Sequence, residues 1–468
     1  MKHIAFSGRM VMVGFGSIGQ GVLPLILRHI EIEPAQITII TAEERGHDEA
    51  NEYGIKFVND ALTRENYRDR LTPELGKGDV LLNLAVDVCS VDLVRLCREL
   101  GALYLDTCIE PWPGGYTDTT LSPALRTNYA LREKMLTLRT EDPAPTALIT
   151  HGANPGLVSH FVKQALLNIA ADTGHRGEAP KDRAGWADLA AALGIKVIHI
   201  AERDTQVSAG QPKVVGEFVN TWSIDGFVGE GCQPAELGWG SHEKEMPADG
   251  RGFETGPGCA IYLMRPGASQ RVRTWTPKEG PFQGFLITHS EAISLTDYLT
   301  VKRDGKVTYR PTCHYAYHPC DDAVLSLHEF AGKAWTMQPT KRLMMEEITS
   351  GIDELGVLLA GHAKGAYWFG SQLSVREARE LAPHNNATSL QVTVAVLAGL
   401  VWVLENPTRG VIEPDEIDYK RILDLCRPYL GPVVGAYTDW TPLQDRGRLF
   451  PEELDRDDPW QFKNVRVI

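Results

Sequence analysis

Three glycines, Gly14, Gly16 and Gly19, follow the short apolar run Val11-Met12-Val13 and lead into helix-compatible residues from Gln20 to Ile30. A G-x-G-x-x-G turn between a buried strand and a helix suits a dinucleotide. The first glycine allows the turn, the second lets the backbone approach a pyrophosphate, and the third lets helix and strand pack closely. The anion would sit on free N–H groups at the helix start, with Ser17 and Ile18 inside the turn. A second strand, Gln36 to Ile40, ends at Thr41-Ala42-Glu43-Glu44. An acid at that point commonly holds the adenosine ribose. Thr41 stands there in this chain, with Glu43 or Glu44 close enough to take the role. Arg45 leaves room for a phosphate-bearing cofactor, while the neighbouring acids favour NAD.

A second set of residues could handle a cation. Carboxylates alternate with tryptophans between Glu202 and Trp239: Glu202, Asp204, Trp222, Glu230, Glu236 and Trp239, in glycine-rich surroundings. An ammonium is satisfied by carboxylates and by an indole face, the latter contributing ~0.5–2 kcal/mol. The competing expectation is an ordinary sheet with solvated acids and buried tryptophans. His289, at the end of the apolar run Phe285 to Thr288, could move protons, or could be a hydrogen-bonded structural histidine. Asn83, Asp87 and Thr107 stand at the carboxyl ends of two further apolar runs, where an α/β sheet holds its ligand. Asp87 could equally cap the helix that starts at Ser90. His314 and His318 lie four apart beside Cys313 and Cys320, but no paired C-x-x-C or H-E-x-x-H accompanies them, so no metal is expected. Neither a G-x-S-x-G elbow nor a Walker A lysine occurs, which leaves serine hydrolysis and P-loop chemistry unsupported.

The elements that would position these residues fall into two patterns. Val11–Val13, Gln36–Ile40, Ile55–Val58, Asp79–Val86, Ala102–Leu105 and Thr146–Thr150 alternate with helical pieces such as Glu65–Leu71, Ser90–Leu100 and Asn128–Arg139. That alternation predicts a doubly wound parallel sheet, a Rossmann domain over residues 1–153. Asn154-Pro155-Gly156 marks its exit, with Pro155 placed to start a helix from Gly156 to Ala171. Beyond residue 190, runs such as Ile195–Glu202, Val215–Trp222, Gly258–Met264, Arg271–Trp275, Gly284–His289 and Lys306–Arg310 alternate as strands. They predict an α+β substrate domain with a mixed or antiparallel sheet over 154–385. Ala387 to Glu405 is the longest expected helix. It is too apolar to lie on a surface, so residues 386–468 should return it to the first sheet.

The 468 residues, 43% hydrophobic and 23% charged, suit two or three globular domains. No run of eighteen apolar residues predicts a membrane span, and the first ten residues lack a secretory apolar core. A formal charge of −14 argues against nucleic acid as partner. Eight scattered cysteines fit free thiols in a reducing cytoplasm.

Taken together, Val11 to Gly19, Asn128 to Glu133, Gly152 to Gly156, His199-Ile200-Ala201-Glu202-Arg203-Asp204-Thr205-Gln206, Gln233 to Gly240, Tyr309 to Cys320 and Asp458 to Phe462 resemble the bacterial homospermidine synthases, relatives of saccharopine dehydrogenase. The resemblance covers nearly the whole chain. It implies an NAD-dependent aminobutyl transferase that joins two putrescines, or spermidine and putrescine, into homospermidine. Ammonia or 1,3-diaminopropane would leave, and the hydride would return within the cycle. It further implies a homodimer, pocket residues at Asn154, Glu202, Trp222, Glu230, His289 and Asp353, and Asp87 at the nicotinamide edge. Asn154, Glu202, Trp222 and Asp353 would hold substrate, and Asn154 would also touch the cofactor. Glu202 and Asp353 would hold ammonium groups, Trp222 would face the cationic intermediate, and Glu230 and His289 would shuttle protons. The competing reading is a saccharopine-type amino-acid dehydrogenase with net NAD(P)H turnover, which would need arginines for an α-carboxylate.

Overall fold

The computed structural model describes residues 2–175 and 177–468; Met1, where the leader reading begins, and Arg176 lie outside them. The first sheet is built from β1 (Met10–Val13), β2 (Ile37–Thr41), β3 (Lys56–Asn59), β4 (Val80–Asn83), β5 (Leu103–Asp106) and β6 (Ala147–Leu148). Their order is 3-2-1-4-5-6, all parallel, and Val411–Ile412 adds a seventh strand beside β6. β1 is buried at every position and reads Met-Val-Met-Val, the continuous apolar run of a strand covered on both faces. Helix α1 (Ser17–His29) follows the glycine turn, and α2 (Ser90–Leu100) buries Val91, Leu93, Val94, Leu96 and Cys97. Asp87 does not cap α2. The N-cap is Cys89 without a side-chain bond, and Asp87 adopts φ 65°, which turns the chain before the helix can start. The fourth expected strand is shorter than its apolar run, because Leu84 to Val86 leave the ladder after Asn83 and bend toward the glycine turn.

After α3 (Asn128–Leu136), the chain enters α4 (Leu157–Asp172). Pro155 does not start α4: Gly156 occupies the N-cap at φ 124°, and a Cβ there would meet the Gly152 carbonyl oxygen at 2.2 Å.

The second sheet has eleven strands. Its centre is β7 (Val197–Asp204), and it gains β8 (Pro234–Gly238), β9 (Gly250–Gly252), β10 (Ala260–Pro266), β11 (Arg271–Thr276), β12 (Gly280–Phe285), β13 (Thr312–His318), β14 (Ile352–His362), β15 (Gly365–Ser374), β16 (Val433–Thr438) and β17 (Arg466–Val467). The main path runs 9-10-8-13-7-14-15-16, with β13 parallel to β7 and the other pairs antiparallel. Two expected strands fall elsewhere. Glu217–Asn220 pairs in parallel with Thr340–Leu343 in a separate ladder, and Lys306–Tyr309 forms a hairpin with Val301–Arg303. The run expected from Gly284 to His289 leaves the ladder at Phe285; His289 is the N-cap of α6 (Ser290–Tyr298). Between β7 and β8 lies α5 (Ile224–Cys232), which starts two residues after Trp222.

Helix α7 (Ala387–Glu405) has the expected bounds and packs on α1 and β5 of the first sheet. Its apolar 18-residue window is 89% buried inside the protein. Each fully buried Leu or Val contributes about 1.5–3 kcal/mol relative to exposure, so α7 is a core element. Gly399 allows this approach: a Cβ there would meet His151 Nδ1 at 2.6 Å and Leu105 Cδ1 at 3.0 Å. The buried Arg132 guanidinium ties three segments, bonding Glu413 Oε1 (2.6 Å) and Asp297 Oδ2 (3.0 Å) from α3.

Candidate active site

The three glycines have different physical reasons. Gly14 sits at φ 83°, and a Cβ would meet the Ala85 backbone N–H nitrogen at 2.7 Å. At Gly19 a Cβ would crowd Phe15 (2.9 Å) and the Gly14 oxygen (3.0 Å). At Gly16 a Cβ would meet nothing within 4 Å, because the position opens into a groove of about 580 Å³. That opening, at the N-terminus of α1, fits a pyrophosphate held by backbone N–H groups. Ser17 and Ile18 line the groove with the glycines, and Asp87 lines it as well. At the end of β2, Thr41 and Glu43 line the groove, and Arg45 pairs with Glu43 at 3.3 Å. Asp60, after β3, adds an acid that the spacing did not reveal. Asn83 lies behind the wall: its Oδ1 accepts from the Ala85 N–H (3.3 Å) and its Nδ2 donates to Tyr104 (3.3 Å).

Ile18, Leu84, Ala85, Val86 and Ser223 also border a second, more enclosed chamber, so groove and chamber adjoin. Asn154, Thr107, Glu202, Trp222, Glu230 and His289 meet in its wall, together with Cys108, Glu110 and Tyr315. No lysine or arginine is among the described residues that line it.

The sheet register explains why these side chains converge. Ile200, Glu202 and Asp204 alternate onto one face of β7. β13 places Tyr315 beside Ile200 and Tyr317 beside Glu202, and β14 places Asp353 beside Asp204, so all of these share that face. Glu202 Oε2 accepts from Asn154 Nδ2 (2.7 Å) and from the Tyr315 hydroxyl (2.5 Å), which leaves Oε1 for a ligand. Burial pushes the Glu202 carboxyl up to about 7, against the pull of those two donors. Asp353 lies behind Glu202, fully buried and outside the chamber wall; neither carboxylate oxygen has a partner among the described residues. Burial, then the charges of Glu202 and Asp204, hold it well above the usual carboxylate range.

His289 sits between two acids: Nε2 is 3.0 Å from Glu230 and Nδ1 is 3.2 Å from Glu291. Burial alone would lower its pKa, but the two carboxylates outweigh burial and raise it to about 10. The ring is therefore an imidazolium at neutral pH, tilted 32° against the Tyr315 ring with centroids 4.2 Å apart. Trp222 donates from Nε1 to Tyr317 (3.1 Å), and Tyr317 stacks parallel on Tyr315 at 5.2 Å. Indole, imidazolium and Glu202 are thus fixed through one pair of tyrosines. Glu110 is pushed up to about 7 by burial, and the Cys108 thiol donates to it (3.1 Å).

Glu236 and Trp239 do not join this site. Glu236 accepts from Asn128 N–H (3.0 Å), Tyr129 N–H (3.1 Å) and Thr288 (2.9 Å), which ties down the start of α3. Trp239 packs edge-on against Phe462. His314 lies tilted against His199, centroids 4.2 Å apart, on the opposite face of the sheet, and His318 Nδ1 bonds the Pro319 carbonyl (2.8 Å). Tyr315, Tyr317, Glu291 and Glu110 were not singled out from the sequence. Only the period of two in Thr312–His318 could have pointed to the tyrosines.

The family model for the saccharopine dehydrogenase NADP binding domain matches residues 10–149, and that for the saccharopine dehydrogenase C-terminal domain matches 152–438. Homospermidine synthase of Blastochloris viridis is 55% identical over 465 residues, covering 98% of this chain and 97% of that protein. Homospermidine synthase of Mesorhizobium japonicum is 55% identical over 469 residues, covering 98% and 96%. The crystal structure of the Legionella pneumophila homospermidine synthase in complex with NAD superposes with a TM-score of 0.94 at 52% identity, over 100% of this chain and 99% of that one. Saccharopine dehydrogenase of Saccharomyces cerevisiae, at 11% identity and a TM-score of 0.50, shares the fold alone. Matched along nearly its full length, this chain belongs to the homospermidine synthases, built on the two-domain plan of saccharopine dehydrogenase.

Proposed function

We propose that this protein binds NAD and joins two putrescines into homospermidine, releasing ammonia; spermidine as aminobutyl donor would release 1,3-diaminopropane instead. The observation that carries the reading is the chamber beside the dinucleotide groove, walled by Glu202, Glu230, Glu110 and an indole, and free of lysine and arginine among its described lining. Such a wall suits an alkyl chain with ammonium ends. It offers an α-carboxylate no guanidinium or ammonium, and its one cation, His289, is already paired with Glu230 and Glu291, which speaks against an amino-acid dehydrogenase.

The glycine turn, Ser17, Ile18, Asp87, Thr107 and Asn154 would hold the cofactor, and Glu43 or Asp60 would take the ribose hydroxyls. The acids beside Arg45 favour NAD over its 2′-phosphate form. When bound, NAD supplies a hydride acceptor at the chamber and a donor for the same hydride later. The remaining work belongs to the chain. Glu202, with Oε1 free and a pKa near 7, accepts a proton from the reacting ammonium, because hydride can leave only from a carbon bearing a neutral amine. The first oxidation gives an iminium. The second putrescine's neutral amine adds to its carbon and ammonia leaves, so the C–N bond count is conserved. The new iminium is then reduced. Trp222 presents its ring to these cations; Asp353, buried behind Glu202 with its carboxyl held well above the usual range, backs the wall rather than binding an ammonium. His289, held protonated by Glu230 and Glu291, donates a proton to the departing nitrogen and is recharged through Glu230. Leu84 to Val86 and Trp222 limit water, which strengthens each charge contact and protects the iminium from hydrolysis. A homodimer in the cytoplasm belongs to the same proposal; the eight unpaired cysteines suit a reducing compartment.

Incubation with NAD and putrescine alone tests it. Homospermidine and ammonia should appear in equal amounts without net NADH. Stoichiometric NADH, or no homospermidine, would reject it.

A further inference from the structure

Asp204 follows Glu202 on the same face of β7, is fully buried, and stands outside the chamber wall. Its Oδ1 accepts from the Gln206 N–H (2.8 Å) and Gln206 Nε2 (3.1 Å), and its Oδ2 from the Thr221 hydroxyl (2.7 Å) and the Thr388 hydroxyl (3.4 Å). These donors come from three segments: the end of β7, the turn that delivers Trp222, and the first turn of α7. The same segments are cross-linked again. Asn386 Nδ2 donates to the Thr221 carbonyl (2.6 Å), and the Ala387 N–H donates to Gln206 Oε1 (2.9 Å). Thr388 itself borders the chamber. Glu202 has donors on one oxygen and Asp353 on neither, whereas Asp204 has four, which pull its carboxyl down against the burial that raises it.

We propose that Asp204 is a positioning residue of the diamine chamber: it holds the Trp222 turn through Thr221 and the α7 wall through Thr388, and its carboxylate adds to the field that an ammonium meets. The proposal rests on the diamine reading above. The groups facing this locus are Glu202 on β7, Asp353 on β14, Tyr317 on β13 and Cys320 beyond it. The Arg203 guanidinium bonds the Asp204 carbonyl, and His289 faces Glu202 from α6. α7 contributes only uncharged groups here: the Thr388 hydroxyl on Asp204 and the Ala387 N–H on Gln206. Burial is the largest cause of the raised Glu202 and Asp353 values, and the charge of Asp204 adds to both.

The test is Asp204→Asn in the full-length enzyme with NAD. Loss of a charged hydrogen-bond acceptor should lower kcat/KM for putrescine by about ten- to a hundredfold. NAD affinity should stay within about twofold, since the groove is separate. Removing the anion lets Glu202 and Asp353 ionise more easily, so the lower break in log kcat/KM against pH should move to lower pH. A merely structural role would depress the rate at every pH and leave the break in place. Thr221→Val cuts the tie to the Trp222 turn while keeping the charge. It should lower the rate without moving the break, and Thr221→Ser should restore it. A wild-type rate in Asp204→Asn, or a lowered rate with an unmoved break, overturns the proposal. If Asp204→Asn does not fold, Thr221→Val at the wild-type rate, or a Thr221→Ser as slow as Thr221→Val, overturns it instead. Failure of the underlying reading looks different: the unmodified enzyme then makes no homospermidine at any pH.

Discussion

Replacing Glu202 by Gln isolates what its charge does. The side chain is 3% exposed and keeps its shape in the variant, and the amide oxygen can still accept from Asn154 and Tyr315. The amide NH₂ then occupies the position of Oε1 and points donors at a cationic substrate. Loss of a positioned general base removes about 10²–10⁴ in rate, or roughly 2.7–5.4 kcal/mol of transition-state stabilisation at 1.36 kcal/mol per decade. The expected result is a fall of that size in kcat/KM for putrescine, measured by chromatography of derivatised polyamines. NAD binding should be unchanged by fluorescence titration, because Glu202 is not among the groove residues. The pH profile sharpens the test. The folded pKa is raised from 4.5 to about 7, so the basic form is present above about 7 and is lost as pH falls through it. Wild-type kcat/KM should break there, and the variant should lack that break. A variant within about threefold of wild type, or one that keeps the break, would refute the assignment of Glu202 as base.

Trp222→Ala should lower kcat by about 2- to 30-fold through the lost cation–π contact, with Trp222→Phe recovering part of it in steady-state assays. Gly16→Val should abolish measurable NAD binding while the melting temperature stays close to wild type, since its side chain meets only the groove; Gly14→Ala should instead lower thermal stability in scanning calorimetry, because φ 83° and the Ala85 backbone oppose it. Gly399→Ala should cost about 1–3 kcal/mol in denaturant unfolding by pushing α7 off His151 and Leu105.

Local spacing made the cofactor half readable. One turn carries the three glycines, and each parallel strand announces itself as an apolar run. The acid–indole half was readable only in pieces. Glu202, Trp222 and Glu230 lie within thirty residues and do meet, yet Glu236 has the same composition signal and is used to anchor α3. Tyr315 and Tyr317 come from a strand more than a hundred residues downstream, brought in by parallel pairing with β7. They sit in the segment whose histidine spacing was set aside as a metal site, and the period of two points the histidines to the opposite face. Glu110 lies in a Pro- and Gly-rich loop whose path no periodicity fixes. Asp204 was visible as a carboxylate, but two of its four donors, the Thr221 and Thr388 hydroxyls, arrive from segments farther along the chain.

The most direct test of the borrowed hydride uses putrescine deuterated at both amine-bearing carbons, incubated with the NAD-loaded enzyme in an excess of unlabelled NADH. Return of the hydride within one closed site predicts homospermidine that keeps all its deuterium. Product one deuterium short, with label appearing in free NADH, would contradict it.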